Sequence, residues 1–212
     1  MMPTATREFY RPLNSLSGAM ADEYSALIRN GQSNTSLLSQ LASAKKVKKT
    51  FSHCLDGKKG GGIFAIGEVV EPKIKTTPIL DDPTHFNIAL ESIDVNGDAV
   101  KLPTSIFDFI KKQAAIVDSG TTLAYFPDEV YNQLMERMMN IALVFRTVTF
   151  TGDEITLLGD LVLSDKLVTY DMENQAIGWT DHDCSSSIKV NDEKSGNVYE
   201  VGAQDISSAH YM

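Results

Sequence analysis

Short apolar runs separated by glycine, proline and asparagine dominate the chain from Phe51 onward. Examples are TFSHCL, GGIFAIGEVV, KIKTTPIL, HFNIALESIDVNG and DAVKLP. Runs of this length, bounded by turn-forming residues, predict β-strands. The stretch DVNGDAV also predicts a hairpin, because Asn96-Gly97 tolerates the positive φ angles of a type I′ turn. The pattern therefore predicts a mostly β fold.

Three segments show helical spacing instead. Residues 20–29 predict a short helix, with acidic residues in its first turn. In residues 33–47, Leu37, Leu38 and Leu41 share a face, and the N-cap candidates are Ser33, Asn34 and Thr35. Residues 127–139 give the clearest helix: Pro127 suits its first position, and apolar residues recur at Val130, Leu134 and Met138.

The last third of the chain returns to strand patterns, in LVFRTVTF, EITLLGDLVLSDKLVTYDM and QAIGWTD. Alternation at Leu161 and Leu163, and at Val168 and Tyr170, predicts half-buried strands. After Cys184 the composition turns polar, so residues 188–212 are predicted to form a mobile tail. Residues 1–20 are polar and contain no clear period, and the segment 1–30 as a whole is expected to be poorly ordered.

Composition and charge narrow the function classes. The 212 residues carry a formal net charge of −9, which argues against nucleic-acid binding through phosphate neutralisation. No run reaches the 18 or so apolar residues that a membrane span needs. The first 20 residues contain no apolar segment typical of a secretory signal, and the C-terminal end contains no complete lipid-anchor signal.

The stretch AAIVDSGTTLAYFP, residues 114–127, carries the candidate chemistry. Asp118 follows an apolar run, so its carboxyl group is expected at the edge of the core. Gly120 allows a tight turn, and hydroxyls at Ser119, Thr121 and Thr122 can hydrogen-bond a carboxylate. A carboxylate held in this way can bind and activate water.

One carboxylate is not enough for amide hydrolysis near neutral pH. A lone aspartate has a pKa near 3.9, so it is a weak base and cannot also act as an acid. Two carboxylates about 3 Å apart share one proton, and one then acts as base while the other acts as acid. The alternative for Asp-Ser-Gly-Thr alone is an Asx-type turn. The aromatic residues and helix that follow, and the later TLLGD, favour a site.

Three blocks together identify a family. They are GQSNTSLLSQLASAKKVKKTFSHCLDGKKGGGIFAIGEVV, IVDSGTTLAYFPDEVY and LLGDLVLSDKLVTYDMENQAIGWTDHDCSSS. In this order they resemble the C-terminal lobe of a plant pepsin-like aspartic protease. The match covers about residues 31–187, with a family segment missing near 140–155, and leaves residues 1–30 unmatched. The resemblance implies one lobe of a bilobal β fold with two or three short helices.

The resemblance also implies roles for individual residues. Asp118 corresponds to the second catalytic aspartate, and Ser119 to a hydroxyl that contacts the other lobe. Thr121 corresponds to the donor that hydrogen-bonds the outer carboxylate oxygen, and Gly120 and Thr122 complete the loop. The hydrophobic-hydrophobic-Gly segment that supports this loop corresponds to Leu157, Leu158 and Gly159. No metal or other cofactor is implied.

The implied activity is aspartic endopeptidase cleavage of peptide or protein substrates, in the secretory pathway or outside the cell. The matched region lacks the first lobe, with its own aspartate and flap. Catalysis is therefore expected to require a second Asp-bearing lobe or self-association, and the isolated chain is expected to be inactive. The alternatives are a non-catalytic pseudoprotease lobe that binds a partner, and a truncated gene product.

Two further candidate features remain. The resemblance implies a disulfide between Cys54 and Cys184. The alternatives are a zinc site formed with His53 and His182, whose spacing is not that of a zinc finger, and free thiols. Asn34-Thr35-Ser36 is a weak candidate for N-glycosylation.

Overall fold

The computed structural model describes residues 36–57, 60–81, 85–90, 92–95, 98–99, 114–138 and 156–203. In chain order their elements are α1 (Leu37–Ser43), β1 (Thr50–Leu55), β2 (Gly62–Ile66), β3 (Val69–Glu71), β4 (Thr76–Pro78), β5 (Asn87–Ile88), β6 (Asp94–Val95), β7 (Asp98–Ala99), β8 (Ala115–Val117), α2 (Asp128–Met138), β9 (Thr156–Leu158), α3 (Asp160–Leu163), β10 (Lys166–Asp171), β11 (Ala176–Asp181), β12 (Ile188–Asn191) and β13 (Val198–Val201). The predicted mostly β fold with two or three short helices is confirmed.

The chain divides into two compact units. Of the described residues, those up to Thr77 and those from Leu163 onward form the first unit, and those from Pro78 to Val162 form the second. The first unit contains a five-stranded sheet in the order β2-β1-β10-β11-β4 and a three-stranded sheet in the order β13-β12-β3. Strand β1 pairs antiparallel with both β2 and β10, so it lies inside the larger sheet.

Strand β10 is buried on both faces. Val168 and Tyr170 are buried, as predicted, but Leu167 and Thr169 are buried as well, so the prediction of a half-buried strand is wrong. Thr169 tolerates this position because its hydroxyl hydrogen-bonds the hydroxyl of Ser52 on β1 at 2.7 Å. Pairing the two polar groups removes most of the cost of burying them.

Residues 188–201 form a hairpin, so the prediction that this part of the chain is a mobile tail is wrong. Strands β12 and β13 pair antiparallel, and β12 also pairs with β3. The apolar side chains of the hairpin join the core cluster of the first unit: Cys54, Ile63, Ala65, Leu167, Cys184, Ile188, Val190 and Val201. Burying these side chains against both sheets is what orders the segment.

A disulfide joins Cys54 in β1 to Cys184; the two residues are 130 positions apart in sequence, and their Cα atoms are 5.4 Å apart. The pairing that the family resemblance implied is therefore confirmed. The alternatives of a zinc site and of free thiols are wrong, because both sulfur atoms are used in the bond. The disulfide lies within the core cluster and closes a large loop of the chain.

Helix α1 runs from Leu37 to Ser43, inside the segment 33–47 whose spacing predicted it. Its N-cap is Ser36, whose side-chain oxygen accepts a hydrogen bond from the Ser39 backbone N–H at 3.1 Å, so Ser33, Asn34 and Thr35 were the wrong candidates. Ser36 is in an extended conformation, which suits an N-cap. As predicted, the apolar face is buried at Leu38 and Leu41, but Leu37 is exposed.

In the second unit, β5, β8 and β9 form one small sheet and β6 and β7 form a hairpin. Val95 pairs with Asp98, which confirms the predicted two-residue connection; Asn96 and Gly97 themselves lie outside the described residues. Helix α2 starts at Asp128, one residue after the predicted first position at Pro127. Its predicted core face is confirmed at Val130 and Leu134, both of which are buried.

Residues 160–163 form the short helix α3, so the predicted strand through Leu161 and Leu163 is wrong. A strand would have placed Leu161 and Leu163 on the same face. In the helix they separate: Leu161 is 42% exposed and Leu163 is 1% exposed. Several predictions lie outside the described residues: the poorly ordered residues 1–30, the helix at 20–29, the strand at 143–150 and the sequon at Asn34. None of the helices in the described ranges has the length and apolar content to cross a bilayer.

Candidate active site

Asp118 lies at the end of the central strand of the small sheet. Strand β8 pairs antiparallel with β5 and parallel with β9. Its apolar residues Ala115 and Val117 are buried, which anchors the strand, and Asp118 follows as a partly buried side chain at the edge of the core. The backbone N–H of Asp118 still donates to the carbonyl of Leu158 at 3.1 Å, so β9 fixes the position of this residue directly.

Both carboxylate oxygens of Asp118 accept hydrogen bonds from the loop that follows. The Gly120 backbone N–H donates to Oδ1 at 3.0 Å, and the Thr121 hydroxyl donates to Oδ2 at 2.8 Å. The Thr121 backbone N–H also donates to the Asp118 carbonyl at 3.2 Å, which closes the turn. Each carboxylate oxygen has a further lone pair, so the oriented group can still accept bonds from water.

Strand β9 passes between β8 and Tyr125. Leu157 pairs with Ile116 in parallel on one side. On the other side it exchanges two backbone hydrogen bonds with Tyr125, both at 2.9 Å. The loop from residue 118 to residue 124 therefore starts on one side of β9 and returns on the other. Both ends of the Asp118 loop are held by one strand that is distant in sequence.

Gly159 lies directly beneath this loop. A Cβ atom at this position would overlap the carbonyl oxygens of Leu123 and Thr121, well inside the 3.0 Å that real Cβ contacts essentially never go below. The two residues after Gly159 lie close enough to the same loop to form backbone hydrogen bonds with it. The Asp160 N–H donates to the Thr121 carbonyl at 2.7 Å, and the Leu161 N–H donates to the Thr122 carbonyl at 3.0 Å. The close approach of the backbones thus requires glycine.

The structure brings together most of the residues that the sequence singled out. Gly120 and Thr121 contact the Asp118 carboxylate, and the backbone of residues 157–159 supports the loop. The side chains of Ser119 and Thr122 are not among the groups that hydrogen-bond this carboxylate in the described part of the chain; Ser119 is partly buried and Thr122 is exposed.

Two contributions were missed from the sequence. The backbone of Tyr125 pairs with Leu157, and the backbone N–H of Asp160 donates to the loop. Both contributions are made by backbone groups, which leave little trace in side-chain patterns. The sequence signal that could have indicated the Tyr125 pairing is the apolar run on each side of the Asp118 loop, because such runs are typical of strand-like segments. Within the described ranges, no group of three or more His, Cys, Asp or Glu side chains is arranged to hold a metal ion.

Comparisons with known proteins agree with this geometry. A family model described as "Xylanase inhibitor C-terminal" matches residues 85–150, which include the Asp118 loop. Aspartic proteinase 39 of Arabidopsis thaliana is 43% identical, and aspartic proteinase 36 of the same plant is 41% identical. In both cases the alignment covers 84% of this chain and 49% of the relative, so the chain spans about half the length of these curated relatives.

Both alignments run over 236 positions, more than the 212 residues of the chain, so the relatives contain segments that this chain lacks. Two solved structures share the fold. The crystal structure of EDGP gives a TM-score of 0.58 at 15% identity and covers 71% of this chain and 58% of its own. Basic 7S globulin from soybean gives 0.54 at 16% identity, covering 69% of this chain and 54% of its own. At such low identities these two structures show the fold alone.

Proposed function

The chain belongs to the plant pepsin-like aspartic proteinases and matches their C-terminal lobe, and from this membership we propose that it supplies one half of a peptide-hydrolysing site, with Asp118 as the catalytic carboxylate. The proposed activity is that of an aspartic endopeptidase, and the substrate class is peptides or proteins. The relatives named aspartic proteinases support this activity at the level of the family.

The observation that carries the proposal is the orientation of the Asp118 carboxylate. Hydrogen bonds from Gly120 N–H and from the Thr121 hydroxyl fix both oxygens, and the group remains partly exposed. Such a carboxylate is ready to bind a water molecule. When a second carboxylate lies about 3 Å away, the two share one proton. The ionised member takes a proton from the water as it attacks the amide, and the protonated member donates to the developing oxygen.

The second carboxylate is proposed to come from outside these 212 residues. The Asp-Ser-Gly-Thr motif occurs once in these 212 residues. A separate Asp-bearing lobe can supply the missing aspartate, and so can a second copy of this chain related by a two-fold axis. By itself the monomer is proposed to be inactive, because one aspartate cannot serve as base and acid at once.

We expect Asp118→Asn to lower peptide cleavage at least about 100-fold in the assembled state, since general acid–base groups contribute about 10²–10⁴-fold. Asparagine keeps the shape and can still accept a hydrogen bond, but it cannot share a proton. The assay follows a quenched-fluorescence peptide from pH 3 to 6. In it the chain is mixed with a separately expressed N-terminal lobe of a plant aspartic proteinase, with and without pepstatin.

Asp192→Asn is the matched control. Asp192 also accepts backbone hydrogen bonds from its own turn, from Lys194 and Ser195 at 2.9 Å each, but it is remote from the Asp118 loop in sequence and belongs to the first unit. Cleavage by this variant should match the wild type. Equal cleavage by Asp118→Asn and wild type in the same mixture would refute the catalytic role.

A second candidate function is non-catalytic binding. The match of residues 85–150 to the xylanase-inhibitor family model favours it, since the Asp118 loop lies inside that match. In this case the lobe would bind a partner protein such as a xylanase, and the loop would serve as a structural element. Binding that is equally strong for Asp118→Asn and wild type, together with no cleavage in the mixed-lobe assay, would favour this function.

The compartment is proposed to be the secretory pathway or the extracellular space. The Cys54–Cys184 disulfide supports this, because such bonds form and persist mainly in oxidising compartments.

A further inference from the structure

His53 is a buried histidine in the middle of the larger sheet of the first unit. It lies on β1 next to Cys54, and its side chain is only 7% exposed. Phe64 on β2 and Val168 on β10 are its cross-strand partners. The ring of Tyr170 lies 5.7 Å from the imidazole, measured between centroids. The neighbours of this ionisable side chain on β2 and β10 are thus apolar or aromatic residues.

The two ring nitrogens of His53 are in different situations. Nε2 lies 3.5 Å from the Tyr170 hydroxyl, at the limit of a hydrogen bond. Nδ1 is buried and has no hydrogen-bond partner in the described part of the chain. A neutral imidazole can leave one nitrogen as an unused acceptor, but an imidazolium has an N–H on both nitrogens. Protonation would therefore create a buried donor at Nδ1 with nothing to accept it.

The neighbouring strands supply no compensating charge. Strand β2 has the sequence GIFAI, without an ionisable side chain, and Tyr170 is the titratable residue of β10 that contacts the imidazole. The charged residues of β10 and β11 lie at strand ends, where Lys166 pairs with Asp181 and where Asp171 accepts bonds in the turn after β10. Burial without a nearby carboxylate lowers the pKa of His53 to about 4.

We infer that His53 gives the first unit a built-in acid limit: as the pH falls, proton uptake by this one side chain opens the β2-β1-β10 part of the sheet. The folded imidazole resists protonation, whereas in the unfolded chain it titrates near 6.5. The unfolded state therefore binds more protons between about pH 6.5 and pH 4. The contribution of neutral His53 to stability is full above pH 6.5 and declines through that window.

The acid limit and the proposed catalysis are separate properties. The inference depends on the folding of the sheet around β1, not on Asp118, and a folding measurement can test it without any assay of cleavage. The inference has a consequence for function. The lowest pH at which the protein is active would be set by opening of the sheet around His53, and not by the titration of the catalytic carboxylates. If β1 opens, the Cys54–Cys184 bond would still hold it to the segment that contains Cys184.

The test compares urea unfolding of the full chain at pH 7 and pH 4.5. The fluorescence of Trp179, the single tryptophan, reports on the sheet, because Trp179 on β11 lies opposite Val168 on β10. Between these pH values the unfolding equilibrium constant of the wild type should rise about 50-fold more than that of His53→Phe, which keeps a ring but cannot titrate. Ile63→Val is the control, because Ile63 lies opposite Cys54 on β2 and belongs to the core cluster; this variant retains both His53 and Tyr170 and should show the wild-type pH dependence.

A parallel rise of the unfolding constant in wild type and His53→Phe would overturn the inference. If His53→Phe does not fold, His53→Gln replaces it, since the amide is neutral and polar. NMR of the folded wild type gives an independent result without any variant. An imidazole that stays neutral down to pH 4.5 supports the acid limit, and a His53 titration midpoint near 6.5 contradicts it.

Discussion

Removal of the Cys54–Cys184 disulfide is expected to lower the free energy of unfolding by about 4–5 kcal/mol. The bond joins residues that are 130 positions apart, and in the chain-entropy model a loop of this size restricts the unfolded chain by about that amount. Typical domains are stable by only about 5–15 kcal/mol, so the reduced protein would be marginal or unfolded. Urea unfolding with and without reductant measures the difference in one protein without mutation.

The Cys54→Ala, Cys184→Ala double variant gives the same comparison in the absence of reductant. It should match the reduced wild type closely and should not respond further to reductant. Unfolding midpoints that are equal for the oxidised protein, the reduced protein and the double variant would show that the disulfide contributes nothing to stability.

Gly159→Ala is expected to cost about 4 kcal/mol or more and to release the Asp118 loop. The new methyl group would overlap the Leu123 and Thr121 carbonyl oxygens, which are backbone atoms and cannot rotate away. Overpacking of this kind costs about 1–3 kcal/mol, and each buried backbone hydrogen bond that is broken to relieve it adds about 1–3 kcal/mol. The bonds at risk are those from Asp160 N–H and Leu161 N–H to the loop.

Two other glycines provide controls. Gly202 has nothing within 4 Å of an added Cβ, so Gly202→Ala should change stability by no more than about 0.5 kcal/mol. Gly178→Ala creates a comparable clash, with the Lys75 carbonyl oxygen in the first unit. Hydrogen exchange separates the two clashes: only Gly159→Ala should remove protection from the amides of Asp118 and Tyr125. Unchanged protection of these amides in Gly159→Ala would contradict the proposed steric role.

The Asp118 loop could be predicted from sequence because its contacts are local. Gly120 and Thr121 lie two and three residues after Asp118, so the motif itself contains the donors to the carboxylate. The threading of β9 beside the loop depends on residues about 40 positions away, and spacing along the chain does not encode it. In the sequence analysis this support came from the family resemblance rather than from the residue pattern.

The errors in the first unit have physical reasons as well. Residues 188–201 are polar overall, but Ile188 and Val190 alternate with polar residues, and Gly196 has the positive φ of a turn residue. This alternation is the signal of a hairpin, but the average polarity of the segment led to the prediction of a tail instead. In β10, Thr169 was expected on an exposed face, and only the cross-strand hydroxyl of Ser52 makes its burial possible. A partner of that kind cannot be recognised from either strand alone.

The dependence of cleavage rate on chain concentration tests the central claim, that this chain holds one member of a catalytic pair. The rate is measured at pH 3 to 6, with the oligomeric state followed by sedimentation. We predict no cleavage by the monomer, cleavage that saturates at one added N-terminal lobe per chain, and a rate that rises with the square of concentration where the chain pairs with itself. Cleavage by the isolated monomer, proportional to its concentration and lost in Asp118→Asn, would contradict the account.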